Sequence, residues 1–357
     1  MSQAAASSIE LRTSPHLRSP KTVDVIMRNV VYALLPICAF AVWNFGISAL
    51  ALIVVCTGVA VLTEHVYCVF AKKPTTVGDW SVVITGILVA LILPPALPLW
   101  MAAVTSFISV ALGKIFFGGL GYNVFNPALV GRAFSQVAFT LPMTTWTPAQ
   151  LPGRFFEFIP TSLTIPFLEP GSLQGWLSSV APDGWTGATP LQLMKSEQTG
   201  TEVSQLLFGS VAGSTGETAA VLILVCGLYL VVRKMMNWRI TFSILVTAAL
   251  FSWLFYVIDP SQYPDPVFML GAGSLMLGAV FMATDMVSSP ETRLGVWVYG
   301  VFIGVMVVVI RLFGGLPEGV MYAILLGNAV SPLISRVTQP KTYGAVRKNR
   351  KQAKEGV

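Results

Sequence analysis

The sequence predicts an all-α polytopic membrane protein with about ten transmembrane helices, arranged as two inverted five-helix repeats with broken half-helices. Three observations predict it. The 357 residues are 54% hydrophobic and only 11% charged, about half the charged share of a soluble domain. Long apolar runs recur along the whole chain, and hydrocarbon admits such runs as helices that satisfy their own backbone. The tetrapeptide Phe-Gly-Gly-Leu occurs twice, at Phe117–Leu120, 17 residues after Trp100, and at Phe313–Leu316, 16 residues after Trp297.

Residues 1–29 are polar and basic (Arg12, Arg18, Lys21, Arg28), with no apolar stretch of the kind a cleavable signal needs. Spans at about 30–46, 48–70, 80–93, 97–117 and 124–141 make the first repeat, 30–141. The third is too short to cross, since roughly 20 residues are needed. It runs into Leu93-Pro94-Pro95-Ala96-Leu97-Pro98, where prolines end a helix, so it reads as a half-helix. A polar interlude, 142–217, follows. The second repeat, 218–335, has spans at about 218–233, 238–258, 266–284, 295–313 and 317–335. A broken stretch, ATDMVSSPETRLGVW, contains its tryptophan, as LPPALPLW does in the first half. Each FGGL leads into a helix with Asn and Pro, Asn126-Pro127 in one half and Asn328 with Pro332 in the other. Five spans per half is an odd number, so the halves point opposite ways. A basic tail, 336–357, can rest on anionic lipid headgroups.

Lysine and arginine bias orients the chain. The N-terminus, Lys72 and Lys73, Lys114, Arg233, Lys234 and Arg239, and seven Lys/Arg of the tail fall on one side if the spans alternate. The interlude carries five acids up to Glu202 (Glu157, Glu169, Asp183, Glu197, Glu202) against Arg154 and Lys195. Both termini are therefore expected in the cytoplasm and 142–217 outside, as in a bacterial inner membrane. The net charge of +6 is spread over termini and short loops, which is topology rather than nucleic-acid binding. Cys38, Cys56, Cys68 and Cys226 lie in or beside apolar runs without a CxxC, and read as small core residues rather than a metal or iron–sulfur set.

Polar groups inside the spans are costly and face a bundle interior or a site. Arg132 is open to pairing with a carboxylate, Asp285 to capping a helix, and Glu64 and His65 to reaching the interface. Asn123 and Asn126 bracket Phe125, and two amides beside a ring suit the edge and face of a flavin or nucleobase as well as an ordinary cap. In the interlude, the stretch DGWTGATPL (Asp183–Leu191) has no general base and no Cys/His set nearby, so neither a hydrolase-type nucleophile nor a metal site is indicated. Gly187 and Ala188 leave the backbone open to close approach. Thr189 presents a hydroxyl that Pro190 stiffens, which describes a substrate for modification or a plain turn.

DGWTGATPL resembles the motif recognised by flavin transferases: Asp, two variable residues, Ser or Thr, Gly, Ala, Ser or Thr, a variable residue, then an aliphatic one. Asp183, Thr186, Gly187, Ala188, Thr189 and Leu191 match it in order. LILPPALPLW, GKIFFGGLGYNVFNPALVGRAF and GAVFMATDMVSSPETR are similar to the membrane-embedded D subunits of Rnf ferredoxin:NAD oxidoreductases, and slightly less to the B subunits of sodium-pumping NADH:quinone reductases. The resemblance runs from about residue 20 to 340, and the short N-terminal segment and compact length favour the Rnf side.

The resemblance implies an electron-transfer subunit, not catalytic alone, of a complex that moves Na+ or H+. It implies FMN joined to Thr189 through a phosphoester and a second, noncovalent flavin, riboflavin, for which Asn123, Phe125 and Asn126 are the candidates. Arg132 and Asp285 join the cofactor set, and Asp285 is the charge expected to take part in ion coupling. The implied partners are iron–sulfur and flavin subunits, a flavin transferase and membrane lipid. Half-helices in inverted repeats equally suit a solute channel or secondary transporter, and a structural anchor is a further reading. Neither explains DGWTGATPL.

Overall fold

The computed structural model describes residues 22–166, 168, 175, 176, 188–198, 200–260 and 262–340. Among them every regular element is helical. Helix α1 (Val23–Phe45) starts at Thr22, whose hydroxyl accepts from the Val25 amide at 3.4 Å. It stops at Gly46, where φ is +70° and a Cβ would lie 1.8 Å from the Arg154 carbonyl oxygen. Only glycine fits such a corner, and α2 (Ile47–Phe70) leaves from it.

Helix α3 (Ser81–Ile92) begins after Asp79, whose Oδ1 accepts from the Ser81 amide at 2.8 Å and its hydroxyl at 2.6 Å. Its 12 residues rise about 18 Å, little more than half of a ~30 Å hydrocarbon layer. Pro94 forbids another turn, and the freed carbonyls find other donors. The Gly216 amide donates to Leu91 at 2.8 Å, the Thr215 amide and hydroxyl to Leu93 at 3.0 and 2.6 Å, and Arg132 to Ile92. Irregular backbone at membrane depth persists only where such groups are satisfied. Helix α4 (Leu99–Val110) continues as a π turn, Ala111–Ile115, and α5 (Pro127–Ala138) follows the first FGGL.

Within the interlude, α6 (Pro190–Glu197) and α7 (Val203–Phe208) are short. The second half holds α8 (Ala220–Val232), α9 (Trp238–Ile258), α10 (Pro266–Gly271), α11 (Arg293–Phe313) and α12 (Val320–Val337). The span expected at 266–284 is interrupted: α10 ends, Gly273 turns at φ +67°, and the chain resumes as Leu275–Leu277 and a π turn, Gly278–Met282. Here too an arginine fills the break, since Arg311 of α11 donates to the Met269 and Ala272 carbonyls at 2.5 and 2.8 Å.

Among the described residues, five helices, α1, α2, α9, α11 and α12, are long and apolar enough to cross a membrane. Of the other expected spans, α3 stops before Pro94, α4 runs into a π turn, 266–284 breaks at Gly273, and α5 and α8 are helices of 12 and 13 residues. Large apolar side chains such as Trp43, Phe70, Leu250 and Leu333 lie exposed on the flanks, as a surface facing lipid requires. Lipid offers no hydrophobic reward for helix pairing, so close backbone approach does that work. Gly300 and Gly304 of α11 sit four apart, and a Cβ on either would come 2.5 Å from Ser243 Cβ or 2.8 Å from Thr247 Cβ of α9.

Gly304→Val is expected to force α9 and α11 apart at a cost of about 1–3 kcal/mol. A thermal melt of the detergent-solubilised protein should drop accordingly, and an unchanged melt would contradict the contact.

Candidate functional site

The sequence-predicted residues fall into two groups at opposite ends of α1. Ile26 and Met27, near its start, line one cavity. Asn44, near its end, donates to the Gly209 carbonyl at 2.9 Å beside the other group. Eighteen residues of helix separate them by about 27 Å.

The first group surrounds a cavity of about 100 Å³ lined by Ser81, Lys114, Asn123, Asn126, Thr284 and Asp285 among others. Asn126 is the N-cap of α5, accepting from the Ala128 amide at 3.0 Å while its amide donates to the Met282 carbonyl of the π turn at 3.1 Å. Asn123 donates to Asp285 Oδ2 at 3.2 Å. Asp285 also accepts from the Ser288 hydroxyl at 3.1 Å and the Val287 amide at 3.3 Å, so it caps its turn and faces the cavity at once. Phe125 is half-buried and does not line the cavity.

Lys114, read above as a topological marker, is instead buried with 3% exposure. Its ammonium donates to both Glu64 oxygens at 2.9 and 2.7 Å and to Ser81 at 2.7 Å. Glu64, expected to reach the interface, is buried with it. Burying either charge alone would be costly, and pairing removes the need to reach water.

The second group gathers around Thr189, which is buried with 4% exposure. Thr189 is the N-cap of α6, its hydroxyl accepting from the Gln192 amide at 3.3 Å. Leu191 anchors the helix in a cluster with Leu206, Phe268 and Ala272. Ala188 is half-buried beside it, and Asp183, Thr186 and Gly187 lie outside the described residues. A cavity of about 20 Å³ joins Thr189 to Ser214, Glu217, Gly273 and Glu318.

Arg132 lies behind this turn, 2.6 Å from Glu318 Oε2 and 3.2 Å from Glu217 Oε1. The buried Glu217 Oε2 and Arg311 Nε have no hydrogen-bond partner among the described residues. Glu318 also lines a larger cavity, about 320 Å³, with Arg132, Gln136, Trp146, Lys195 and Tyr322. Gln192 and Ser196 follow Thr189 at helical spacing and face this cavity. Lys195 donates to the Arg311 carbonyl at 3.3 Å and to that of Gly314, pinning α6 to the end of α11. Partial burial lowers its ammonium pKa below the ordinary value.

Sequence reading therefore found Thr189, Leu191 and Arg132, but not the Glu217, Glu318 and Arg311 around them. The one signal was position: Arg311 and Glu318 flank the second FGGL as Lys114 precedes the first.

The NQR2, RnfD, RnfE family profile matches residues 10–344. The D subunit of the proton-translocating ferredoxin:NAD(+) oxidoreductase complex of Clostridium ljungdahlii is 40% identical over 337 residues, covering 94% of this chain and 96% of that protein. The Na(+)-translocating counterpart of Acetobacterium woodii is 40% identical over 97% of this chain and 98% of its own length. The D subunit of the ion-translocating oxidoreductase complex of Alcanivorax borkumensis is 36% identical over 96% and 99%.

Arg132→Met removes the partner of two carboxylates, and breaking such a buried group costs about 3–5 kcal/mol. The variant should be poorly folded, and adding Glu217→Gln should recover part of the loss in a detergent melt. No recovery would mean that Glu217 does not depend on Arg132.

Proposed function

The chain belongs to the NQR2, RnfD, RnfE family, and on that premise we propose that it is an electron-carrying membrane subunit of an ion-translocating ferredoxin:NAD oxidoreductase, with FMN joined to Thr189 by a phosphoester. It works in a complex with iron–sulfur and flavin subunits and is matured by a flavin transferase. It spans a bacterial inner membrane as two inverted halves with both termini cytoplasmic, supported by the basic residues of the short loops.

The observation that carries the flavin reading is what surrounds Thr189. Its hydroxyl stands at the N-terminus of α6, where the helix dipole and first-turn amides favour a negatively charged phosphoester. The unpartnered Arg311 Nε is a further donor nearby. The cavity of about 320 Å³ beyond it falls at the lower end of the roughly 300–1,000 Å³ that hold small ligands. Trp146 and Tyr322 give it flat walls, and Arg132, Gln136 and Lys195 give it polar edges. When bound, flavin supplies one- and two-electron redox chemistry. The residues named here hold the tether, exclude water with Leu191 and Trp146, and fix the charge around the ring.

A noncovalent riboflavin near Asn123, Phe125 and Asn126 is supported by the resemblance and by the convergent amides. The cavity there, about 100 Å³, is well under the ~300 Å³ of the smaller ligand sites. A three-ring ligand would need Met27, Met235 and Met236 to swing aside, which unbranched thioether chains do readily. Asp285, facing the same cavity, is the proposed coupling charge. The two relatives at 40% identity are named for different ions, so the resemblance serves Na+ and H+ alike. The interrupted α3 and α10 favour a solute channel as the second reading, but a channel gives Thr189 and its surroundings no task.

Thr189→Ala should abolish the flavin fluorescence that survives denaturing gel electrophoresis, while Thr186→Ala should keep it. A fluorescent band in Thr189→Ala, or none in the unsubstituted chain co-expressed with a flavin transferase, would sink the covalent assignment. Asn126→Ala should lower the extractable flavin, and unchanged content would remove Asn126 from that site. Asp285→Asn should reduce ion uptake by vesicles holding the complex, and full uptake would end its coupling role.

A further inference from the structure

Five charged groups of described residues stand around Thr189 and the cavity beyond it. Arg132 is held between Glu217 and Glu318. Arg311, 4% exposed, spends its guanidinium on the Met269 and Ala272 carbonyls. Both carboxylates are thus taken by Arg132, and Arg311 lines neither cavity. Lys195 is the fifth group, and it meets carbonyls only, those of Arg311 and Gly314. Of the two cations that line the larger cavity, Arg132 is bound to carboxylates and Lys195 to carbonyls.

Position decides what that charge acts on. Lys195 lies six residues beyond Thr189 on α6, about 9 Å along the helix axis. A phosphate on Thr189 would sit at the N-terminus of α6, where amides already serve it. A flavin tethered at Thr189 and lying in the larger cavity would have Lys195 in its surroundings. A cation beside a flavin ring favours the electron-rich form and so raises the reduction potential.

We propose that Lys195 sets the reduction potential of the flavin that Thr189 carries, by placing beside the ring the one cation of the cavity lining that has no carboxylate partner among the described residues. This rests on the flavin reading given above. Arg132 lines the same cavity but is paired with its carboxylates, and Lys195 is exposed, so its charge can be changed without loss of the fold.

The test uses the full chain, co-expressed with a flavin transferase, purified in detergent and titrated spectroelectrochemically. The wave of interest is the one missing from Thr189→Ala. In Lys195→Met that wave should move to lower potential with the fluorescent band intact. In Lys195→Arg it should stay near the unsubstituted value. The difference between Met and Lys should shrink as salt is raised, because an exposed charge is screened. A Lys195→Met wave at the unsubstituted potential overturns the proposal. So does loss of the band in both variants, which would make Lys195 a clasp for α6. Absence of the band in the unsubstituted chain sinks the flavin reading first and takes the tuning role with it.

Discussion

A backbone carbonyl left open inside a membrane has no water to turn to, and the architecture follows from how this chain meets that constraint. Two of its helices stop short, α3 at Ile92 before Pro94 and α10 at Gly271 before Gly273. Each stop frees carbonyls, and each is closed by an arginine from another helix, Arg132 at Ile92 and Arg311 at Met269 and Ala272. The loop Thr215–Gly216 completes the first repair. Because a guanidinium carries five donors in a planar fork, one side chain can serve carbonyls and carboxylates together. Arg132 does both, and so ties the end of α3 to Glu217 and Glu318.

The same repairs put chemistry next to structure. Arginines brought in to satisfy carbonyls need counter-charges, and Glu217 and Glu318 supply them beside Thr189. At the other end of α1, the Lys114–Glu64 pair borders the cavity of Asn123 and Asp285. Both polar centres therefore lie where broken or π-turned helix ends meet. Their residues cannot be separated cleanly into structural and functional ones, since Asn126 caps α5 and lines a cavity with the same side chain.

Much of this was legible in the sequence. Proline runs announce the end of α3, since a ring without an N–H can be read from the letter alone. The polar pairs were harder. Glu64 and Lys114 are 50 positions apart, and Arg132 and Glu318 are 186 apart. No local pattern joins them, and the apolar stretch holding Lys114 looks like any span with a basic end. The break at Gly273 was missed because Gly-Ala-Gly-Ser is apolar enough to pass as helix, while the donor to its freed Ala272 carbonyl, Arg311, comes from elsewhere in the chain. The cap at Thr189 hid for the opposite reason: Thr-Pro is a common helix start, yet the interlude around it is too polar to suggest a packed element.

The burial of Thr189 has a consequence for the order of maturation. Thr189, 4% exposed and followed by Leu191 in its packed cluster, cannot enter another enzyme's active site while α6 lies docked. On the flavin reading, attachment belongs to a stage before α6 seats against Phe268 and before Lys195 reaches the end of α11. The short helix then acts as a door that closes behind its cargo, and a chain that closes too early has missed its chance to become a carrier.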